Sequence, residues 1–294
     1  MYLIIGASGF IGNSLYCHIK QSGKKVLGTY CKDAKDASLL FFDILKDSLI
    51  DFCNKHVAGK ISTVIICGGN ASIDSCKKNE TESNELNVWR MQSLVDEVKE
   101  MGVKCVFLSS EAVFDGKVGM NKEEDIPDPI NVYGKQKLQM EQYIVKNLED
   151  YIVFRISRAV GHTFGERDIF NEFYTKIKAR EDIICLKNQS FCLTDLDDIV
   201  NGIVKAVEQN LRGIYHLSSA NYVSRYQLAK LYAEKIFGRY DHIYEKEYEE
   251  LSFIDNRAIY SGLNGEKLEK LLKIQYKNLN EILETYVNDY KSKV

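Results

Sequence analysis

The stretch MYLIIGASGFIG, residues 1–12, decides the fold of this chain. It opens with a short apolar run typical of a buried strand, and a turn with three evenly spaced glycines follows directly: Gly6, Gly9 and Gly12. One glycine permits the tight turn, another lets a pyrophosphate approach the backbone, and the third allows a helix to pack closely on the strand. The amides where that helix begins, at Phe10 and Ile11, would face the phosphates. A bare structural turn is the alternative, but the position directly after a first strand predicts a dinucleotide site.

Beyond this stretch, short β-rich runs alternate with amphipathic stretches through the first half of the chain. The runs are YLIIG, KKVLGTY, LLFFDI, TVIICGG, VKCVFLSS and YIVFRIS. Such alternation predicts an α/β fold, a doubly wound parallel sheet of the Rossmann type with helices on both faces. We therefore expect an NAD(P)-binding domain over residues 1–160. The irregular pattern of 161–294 predicts a smaller lobe that mainly binds substrate, with part of 190–220 returning to the first domain.

Three segments in the second half of the chain carry clearer patterns. TDLDDIVNGIVKAVEQ shows helical spacing after the capping candidates Thr194 and Asp195, and VSRYQLAKLYAEKIFG predicts a helix that ends at Gly238. GIYHLSS, between them, predicts a strand. A last charged helix is expected from about residue 276.

The composition excludes several classes of protein. The chain has 294 residues, of which 45% are hydrophobic, and a formal net charge of -3, so it offers no broad basic surface for nucleic acid. The N-terminal run is too short for a signal peptide, and no segment reaches membrane-spanning length, so we expect a cytoplasmic protein. The eight cysteines form no C-x-x-C pair and no Cys/His cluster, which predicts reduced thiols and no metal site.

The end of the second predicted strand bears on the choice between NAD and NADP. An acidic residue there would hold the ribose 2′-hydroxyl of NAD, whereas a basic residue would accept the 2′-phosphate of NADP. Thr29 and Tyr30 occupy the expected position of the acid, and Lys32 lies close behind. NADP(H) is therefore favoured. NAD(H) is the alternative, because a shift in strand register would bring Asp33 to the ribose.

Two further strand ends are candidates for cofactor contacts. Asp43 and Ile44 follow the third strand and would suit the adenine edge, although Asp43 could instead cap the next helix. Cys67, Gly68 and Gly69 end the fourth strand, where missing side chains would let the backbone pass close to the cofactor. Because this is the carboxyl end of a central strand, a ligand contact is favoured over a merely flexible loop.

A second informative stretch, NVYGKQKLQME at residues 131–141, places Tyr133 one helical turn before Lys137. Side chains four residues apart lie on one face of a helix. A cation beside a phenol favours the phenolate, so Lys137 would lower the pKa of Tyr133 from about 10 towards neutrality. Such a tyrosine can exchange a proton at neutral pH. The spacing alone also occurs on exposed helices, where it does nothing.

Together these motifs resemble the extended short-chain dehydrogenase/reductase superfamily. The resemblance covers nearly the whole chain, since GASGFIG, ELNVWR, FLSSEAVFDG, NVYGKQKLQMEQYI and FRISRAVG occur in order and at fitting separations. Within the superfamily, SSEAVFDG, PDPINVYGKQKLQME and the short chain are most similar to dTDP-4-dehydrorhamnose reductases. Non-catalytic relatives that regulate methionine adenosyltransferase share the same motifs.

The resemblance implies a role for each of four residues. Ser110 would polarise a substrate carbonyl, and Tyr133 would protonate its oxygen as hydride arrives from the nicotinamide. Lys137 would hold the ribose hydroxyls and lower the pKa of the phenol. Asn87 would steady the active-site helix. Taken singly, Ser110 could simply end a strand and Asn87 could bond a loop, but the whole set behind a dinucleotide turn favours catalysis.

The resemblance also bears on the reaction. Dehydratases of the superfamily use an Asp-Glu pair after the hydroxyl residue, whereas here Glu111 is followed by Ala112, so elimination of water is disfavoured. The short chain and the VFDG turn at 113–116 favour NADP(H)-dependent reduction of the 4-keto group of a nucleotide-linked deoxysugar. A nucleotide-sugar 4-epimerase is one alternative, because it needs the same Ser, Tyr and Lys. A cofactor-bound regulatory subunit without turnover is another.

Contacts with a nucleotide-sugar substrate are expected at the lobe boundary. The similar reductases carry a tryptophan in the motif that here reads RISRAVG, and Arg158 stands at or next to that position. Arg158 would replace stacking on the sugar with a cation for a phosphate or carboxylate, or it could form a salt bridge. His162 is a further candidate for substrate binding. Four polar residues are either nucleotide contacts or solvated surface: Lys187, Asn188, Gln189 and Arg257. A homodimer is compatible with the resemblance.

Overall fold

The computed structural model describes residues 1–34, 36–161 and 168–293. Within these ranges the strands, in chain order, are β1 (Tyr2–Ile5), β2 (Val26–Tyr30), β3 (Leu40–Phe41), β4 (Thr63–Ile66), β5 (Lys104–Ser110), β6 (Tyr151–Ile156), β7 (Arg158–Val160), β8 (Ile183–Leu186), β9 (Ser190–Asp195), β10 (Gly213–Leu217), β11 (Tyr222–Ser224) and β12 (Ile243–Lys246). Every strand run predicted from the sequence is confirmed.

The α-helices of the same ranges are α1 (Phe10–Gln21), α2 (Leu49–His56), α3 (Ile73–Lys78), α4 (Glu80–Asn84), α5 (Arg90–Glu100), α6 (Val132–Asn147), α7 (Ile169–Ala179), α8 (Leu196–Glu208), α9 (Arg225–Phe237), α10 (Glu266–Leu272) and α11 (Leu279–Lys293). A π-helical turn, Glu85–Trp89, joins α4 to α5. Two short 3₁₀ helices lie at Glu111–Val113 and Tyr248–Glu250. The predicted helices around residues 196 and 225 and at the end of the chain are therefore confirmed.

Seven parallel strands form the main sheet in the order β10-β6-β5-β4-β1-β2-β3. This topology confirms the predicted α/β class. The direction of winding reverses at β1, which has β2 on one side and β4 on the other. In such sheets ligands bind in the crevice at the carboxyl ends of the strands where the order reverses. Gly6 and Cys67 follow β1 and β4, so the glycine turn and the predicted cofactor backbone meet at this crevice.

The two faces of the main sheet bury separate apolar clusters. On β1, Ile4 belongs to the cluster beneath α1 and α8, whereas Leu3 and Ile5 belong to the cluster beneath α2, α5 and α6. Side chains alternate between the faces of a strand, so a strand covered on both sides is apolar at nearly every position. This explains why YLII reads as a continuous apolar run.

The second half of the chain contributes to both lobes. β10 extends the main sheet beside β6, and α8 packs on the same sheet, while β7, β9 and β11 form a small mixed sheet and β8 pairs with β12. Aromatic residues fill the core of the smaller lobe, where Phe170 and Tyr232 stack with ring centroids 5.3 Å apart and Tyr286 packs on both. The boundary between residues 160 and 161 stays a prediction.

Two kinds of feature are absent from the part of the chain that the structure describes. No helix there is both long and apolar enough to cross a membrane. In the same residues, no group of His, Cys, Asp and Glu side chains is arranged to hold a metal ion.

A buried ion pair joins α6 to the centre of the main sheet. Arg155 on β6 donates from Nη2 to Oε2 of Glu141 at 2.8 Å and from Nε to both carboxylate oxygens at 3.1 Å. Ser109 on β5 also donates to Glu141. Both charged side chains are almost fully buried, at 3% and 2% exposure. Beside Arg155, burial and the guanidinium charge lower the pKa of His216 to about 4, so this imidazole is neutral at pH 7.

Substitution Glu141→Ala should lower the free energy of unfolding by about 3–5 kcal/mol, because it leaves the charge of Arg155 buried without its partner. Urea unfolding followed by circular dichroism measures the change. Glu149→Ala is the control, since Glu149 is an exposed carboxylate just beyond the same helix and should shift the value by no more than about 0.5 kcal/mol. Equal free energies of unfolding for Glu141→Ala and Glu149→Ala would contradict the proposed cost of removing one partner of the ion pair.

Candidate active site

The glycine turn after β1 has the shape of a phosphate site. Gly6 has φ +86° and accepts a hydrogen bond from the amide of Gly9 at 3.0 Å. A Cβ atom on Gly6 would lie 2.8 Å from the amide nitrogen of Gly68, so no side chain fits between the two strand ends. Gly12 faces the same turn, and a Cβ there would collide with the carbonyl oxygen of Gly6. These contacts show why glycine is required at both positions.

Helix α1 begins at this turn without a side-chain cap. Its N-cap is Gly9, so the first amides of the helix, including those of Phe10 and Ile11, donate no hydrogen bond to a capping side chain. Unpaired amides and the positive end of the helix dipole favour an anion at this place. The residues therefore fit the pyrophosphate of a dinucleotide.

The end of β4 completes the floor of the crevice. A Cβ on Gly68 would lie 2.9 Å from Cδ1 of Ile44, and one on Gly69, at φ +133°, would lie 3.0 Å from Oδ1 of Asn87. The backbone thus passes between these side chains where a larger residue would block it. Burial raises the pKa of the neighbouring Cys67 thiol to about 12, which makes it an unreactive wall residue.

At the expected adenosine end of the site, some of the predicted residues form contacts with the rest of the protein and others are exposed. Thr29 is buried and its hydroxyl accepts a hydrogen bond from the amide of Gly6 at 3.1 Å, so this side chain supports the turn. Tyr30 packs edge-on against Phe41, with centroids 5.8 Å apart, and Lys32 beyond it is exposed. The preference for NADP over NAD stays a prediction.

Asp43 stabilises its own turn rather than the next helix. Its Oδ1 accepts a hydrogen bond from the amide of Leu45 at 3.0 Å, and its amide donates to Asp47 at 2.7 Å. The N-cap of α2 is Ser48, which accepts from the amide of Asp51. The alternative that Asp43 caps the next helix is therefore wrong, because the turn at 43–47 separates it from α2.

Helix α6 carries two of the predicted catalytic residues, and its start is tightly held. Oδ1 of its N-cap Asn131 accepts a hydrogen bond from the amide of Gly134 at 2.8 Å, and Asp255 accepts from the amide of Val132 at 2.8 Å. A Cβ on Gly134 would collide with the carbonyl oxygen of Ala112. These constraints place Tyr133, in the first turn, beside the end of β5.

Ser110, Tyr133 and Lys137 meet at the carboxyl edge of the main sheet. The hydroxyl of Ser110 lies near enough to the phenol of Tyr133 to affect its pKa, and the Lys137 ammonium lies 5.8 Å from the centroid of the Tyr133 ring. Lys137 donates to the carbonyl oxygen of Leu108 at 2.8 Å and lies over the ring of Phe107 at 4.6 Å. The structure thus brings together the three residues that the sequence predicted.

The electrostatics of this cluster differ from the expectation. The pKa of Tyr133 is raised, because burial and the charge of Glu111 outweigh the hydrogen bond from Ser110. Burial also lowers the pKa of Lys137 to about 8. The prediction that Lys137 brings the phenol towards neutrality is therefore not met in this structure, and Tyr133 is a neutral phenol at pH 7.

Asn87 lies on the π-helical turn and is fully engaged. Its Oδ1 accepts from the amide of Asn70 at 2.8 Å, and its Nδ2 donates to the carbonyl of Asn70 at 2.9 Å and to Oε1 of Gln136 at 2.7 Å. Single π-turns often occur at functional sites. Sequence reasoning missed Gln136, although a polar residue next to Lys137 on the buried face of α6 was a usable signal.

Glu111 lies next to the cluster, and its charge interacts with that of Arg158. Glu111 begins the 3₁₀ turn after Ser110, and burial raises its pKa to about 7, although the charge of Arg158 opposes the shift. Arg158 opens β7, and its guanidinium lies 5.0 Å from the centroid of the Phe191 ring. His162, the other predicted substrate residue, lies outside the described residues.

The four residues predicted as possible nucleotide contacts have different surroundings in the structure. Arg257 is mostly buried and forms an ion pair with Asp74 at 2.6 Å, and its charge acts on Arg158. Gln189 donates to the carbonyl of Ala258, in the segment next to Arg257. Lys187 pairs with Glu247 on the outer surface, and Asn188 occupies a left-handed turn at φ +61°. Arg257 is thus the candidate that the fold brings to the crevice.

Comparisons with known proteins agree with this geometry. The chain is 26% identical to methionine adenosyltransferase 2 subunit beta of Xenopus tropicalis, over 77% of this chain and 69% of that protein. It is 25% identical to the spore coat polysaccharide biosynthesis protein SpsK of Bacillus subtilis (strain 168), over 99% and 98%. The fold is similar to that of dTDP-4-dehydrorhamnose reductase from Bacillus anthracis in complex with NADP, with a TM-score of 0.83, 22% identity and 99% of each chain covered.

A family match extends over almost the entire sequence. Residues 1–292 match the family described as the RmlD substrate binding domain. The match includes the glycine turn, the Ser110–Tyr133–Lys137 cluster and the smaller lobe. This chain therefore belongs to the RmlD substrate binding domain family.

Proposed function

We propose that this protein is an oxidoreductase that uses NADP(H) to reduce the 4-keto group of a nucleotide-linked deoxysugar, as dTDP-4-dehydrorhamnose reductases do. The observation that carries the proposal is the convergence of the Ser110 hydroxyl, the Tyr133 phenol and the Lys137 ammonium beside the glycine turn. These groups supply what carbonyl reduction requires of a protein: a hydrogen-bond donor, a proton and a nearby positive charge.

The residues of the crevice fit a nicotinamide dinucleotide. Gly6, Gly12 and Gly68 leave room where any side chain would collide, and the uncapped start of α1 favours a diphosphate. Lys137 would hold ribose hydroxyls in the same crevice. When bound, the nicotinamide supplies a hydride to the carbonyl carbon.

The residues of the chain then complete the reduction at the carbonyl oxygen. Ser110 donates a hydrogen bond to this oxygen, and Tyr133 transfers its phenolic proton as negative charge develops there. The raised pKa keeps the phenol protonated at neutral pH, and an alkoxide is basic enough to take its proton. The ammonium of Lys137 offsets the phenolate that is left behind.

NADP(H) is the favoured cofactor because Lys32 lies exposed beyond Tyr30, where a 2′-phosphate would be accepted. The similar reductase from Bacillus anthracis holds NADP. NAD(H) is the alternative. We also propose that the protein is cytoplasmic and that it forms a homodimer.

A regulatory subunit is the second candidate, and one observation favours it. The methionine adenosyltransferase 2 subunit beta proteins are among the similar relatives. The complete Ser110, Tyr133 and Lys137 set supports turnover instead. A 4-epimerase would need the same three residues, so it is separated from the reductase by the products formed.

Substitution Tyr133→Phe should reduce the rate of NADPH oxidation with dTDP-4-dehydrorhamnose by about 10²- to 10⁴-fold, because the proton donor is lost. Absorbance of the reduced nicotinamide measures the rate. Tyr143→Phe is the matched control, since Tyr143 lies on the same helix and bonds Asp96 at the surface. That variant should retain the wild-type rate.

Three other outcomes would contradict the reductase proposal. Product formation from a panel of 4-keto nucleotide sugars and their alcohols without net cofactor consumption would indicate epimerisation. Tight NADPH binding with no turnover of the whole panel would indicate a regulatory subunit. Unchanged turnover in Tyr133→Phe would show that another group supplies the proton.

Glu111 bears on which reactions the site can perform. Its carboxyl has a pKa of about 7 in the folded protein against an ordinary value of 4.5, so the folded state holds a proton that the unfolded chain releases. A single carboxyl that is half-protonated near neutrality can donate or accept a proton. Ala112 follows it, so the second carboxyl of the dehydratase pair is absent.

The pKa of Glu111 predicts a specific dependence of stability on pH. The stabilising contribution is fully present below pH about 4.5 and is lost as the pH rises through about 7, because deprotonation then favours the unfolded chain. Relative to wild type, Glu111→Gln should therefore gain about 1–3 kcal/mol between pH 5 and 8. Urea unfolding at a series of pH values measures the difference.

The exposed substitution Glu149→Gln controls for removal of one carboxylate, and its difference from wild type should stay constant over the same pH range. If the Glu111→Gln and wild-type curves are parallel, the carboxyl of Glu111 does not carry a raised pKa in the folded protein.

A further inference from the structure

Within the described residues, Arg158 is a cation without a hydrogen-bond or ion-pair partner. Among the described residues, no side chain or backbone group forms a hydrogen bond or ion pair with its guanidinium, and the residue is exposed. Its contact is with the face of the Phe191 ring, at 5.0 Å from the centroid. Stacking on an aromatic ring leaves the N–H donors at the edge of a guanidinium free for an oxyanion.

The position of Arg158 ties it to the carbonyl site. Ser110 on β5 is in register with Ile156 on β6, and Arg158 follows two residues later, at the first position of β7. The charge of Glu111 acts on both Arg158 and the Tyr133 phenol. Arg158 and Tyr133 are therefore both near enough to Glu111 for its charge to act on them.

The neighbouring arginines do not share this property. Arg225 donates to Glu172 at 2.6 Å, and Arg257 forms an ion pair with Asp74 at 2.6 Å, so each has a carboxylate of its own. Both guanidinium charges act unfavourably on the charge of Arg158. Among the described residues, the positive charge of Arg158 is thus not balanced by a paired carboxylate. Protonation of Glu111 removes the nearby negative charge that acts on it.

We propose that Arg158 binds a carboxylate carried by the sugar of the substrate, so that the substrate is a nucleotide-linked sugar acid. The inference rests on the proposed carbonyl reduction and specifies its sugar as one that carries a carboxylate on C5. A planar guanidinium matches a carboxylate through two parallel hydrogen bonds.

The chemistry of a pyranose favours this carboxylate over the diphosphate of the nucleotide. In a 4-keto sugar the carbonyl carbon is bonded to C5, which carries the exocyclic carbon, whereas the diphosphate is attached to C1 across the ring. The anion closest to the carbonyl is therefore a carboxylate on C5. Arg158 lies next to the groups that act on the carbonyl, while Arg257, whose Nη1 is buried without a hydrogen bond, is a separate cation for the rest of the ligand.

Calorimetric titration of the NADPH-loaded protein with matched ligands tests the proposal. UDP-glucuronate and UDP-glucose differ by one carboxylate, as do their dTDP-linked counterparts. The wild type should bind the glucuronate of a pair about 10- to 100-fold more tightly. Arg158→Gln should abolish this preference and leave the affinity for the glucose partner unchanged. Arg239→Gln, at an exposed arginine that pairs with Asp241, should behave as wild type.

Each remaining outcome overturns the proposal. Equal loss of affinity for both members of a pair in Arg158→Gln would assign Arg158 to the diphosphate. Equal binding of glucuronate and glucose by the wild type, or no binding of either, would exclude a carboxylate site. Binding is measured without turnover. A preference for the carboxylate in a protein that oxidises no NADPH would therefore contradict the reductase proposal but not this inference. NADPH oxidation by a protein that does not prefer the glucuronate would contradict this inference but not the reductase proposal.

Discussion

The buried ion pair between Glu141 and Arg155 is the interaction on which the arrangement of the site depends. It joins α6 to β6, and Ser109 on β5 donates to the same carboxylate. The next residue on β5 is Ser110, and Tyr133 lies two turns earlier on α6, so one bonded cluster sets the distance between both halves of the carbonyl site. A buried ion pair adds little net stability when its desolvation is counted. Here the pair ties α6 to β5 and β6 through hydrogen bonds that Arg155 and Ser109 donate to Glu141.

Burial sets the charge state of the two groups on α6 that we propose to be catalytic. Removal from water disfavours the phenolate of Tyr133 and the ammonium of Lys137, and the nearby carboxyl of Glu111 acts on the phenol in the same direction. The result is a proton donor that keeps its proton until a stronger base appears. A developing alkoxide meets that condition, so the environment suits reduction of a carbonyl better than a phenol already poised to ionise.

Residues whose roles follow from local geometry could be predicted from the sequence. The turn at Gly6 and the face shared by Tyr133 and Lys137 are fixed by spacings of a few residues, and the structure places both at the carboxyl edge of the main sheet. Contacts between distant segments could not be predicted in this way. Gln136 meets Asn87 across 49 residues, and Arg257 meets Asp74 from another lobe. The direction of the pKa shift at Tyr133 was mispredicted for the same reason, because burial is a property of the assembled fold.

In the function that we propose, selectivity and chemistry come from different parts of the molecule. The carbonyl groups stand on β5 and α6 of the main sheet, whereas the ring that supports Arg158 comes from β9 of the small sheet, with Arg225 at the start of α9. A change in the smaller lobe can therefore alter the charge presented to the sugar without moving Ser110 or Tyr133. Since Arg158 stacks on Phe191 instead of pairing with a carboxylate, its charge is not neutralised by a partner within the described structure. A neutral sugar would leave that charge uncompensated, and an acidic sugar would balance it.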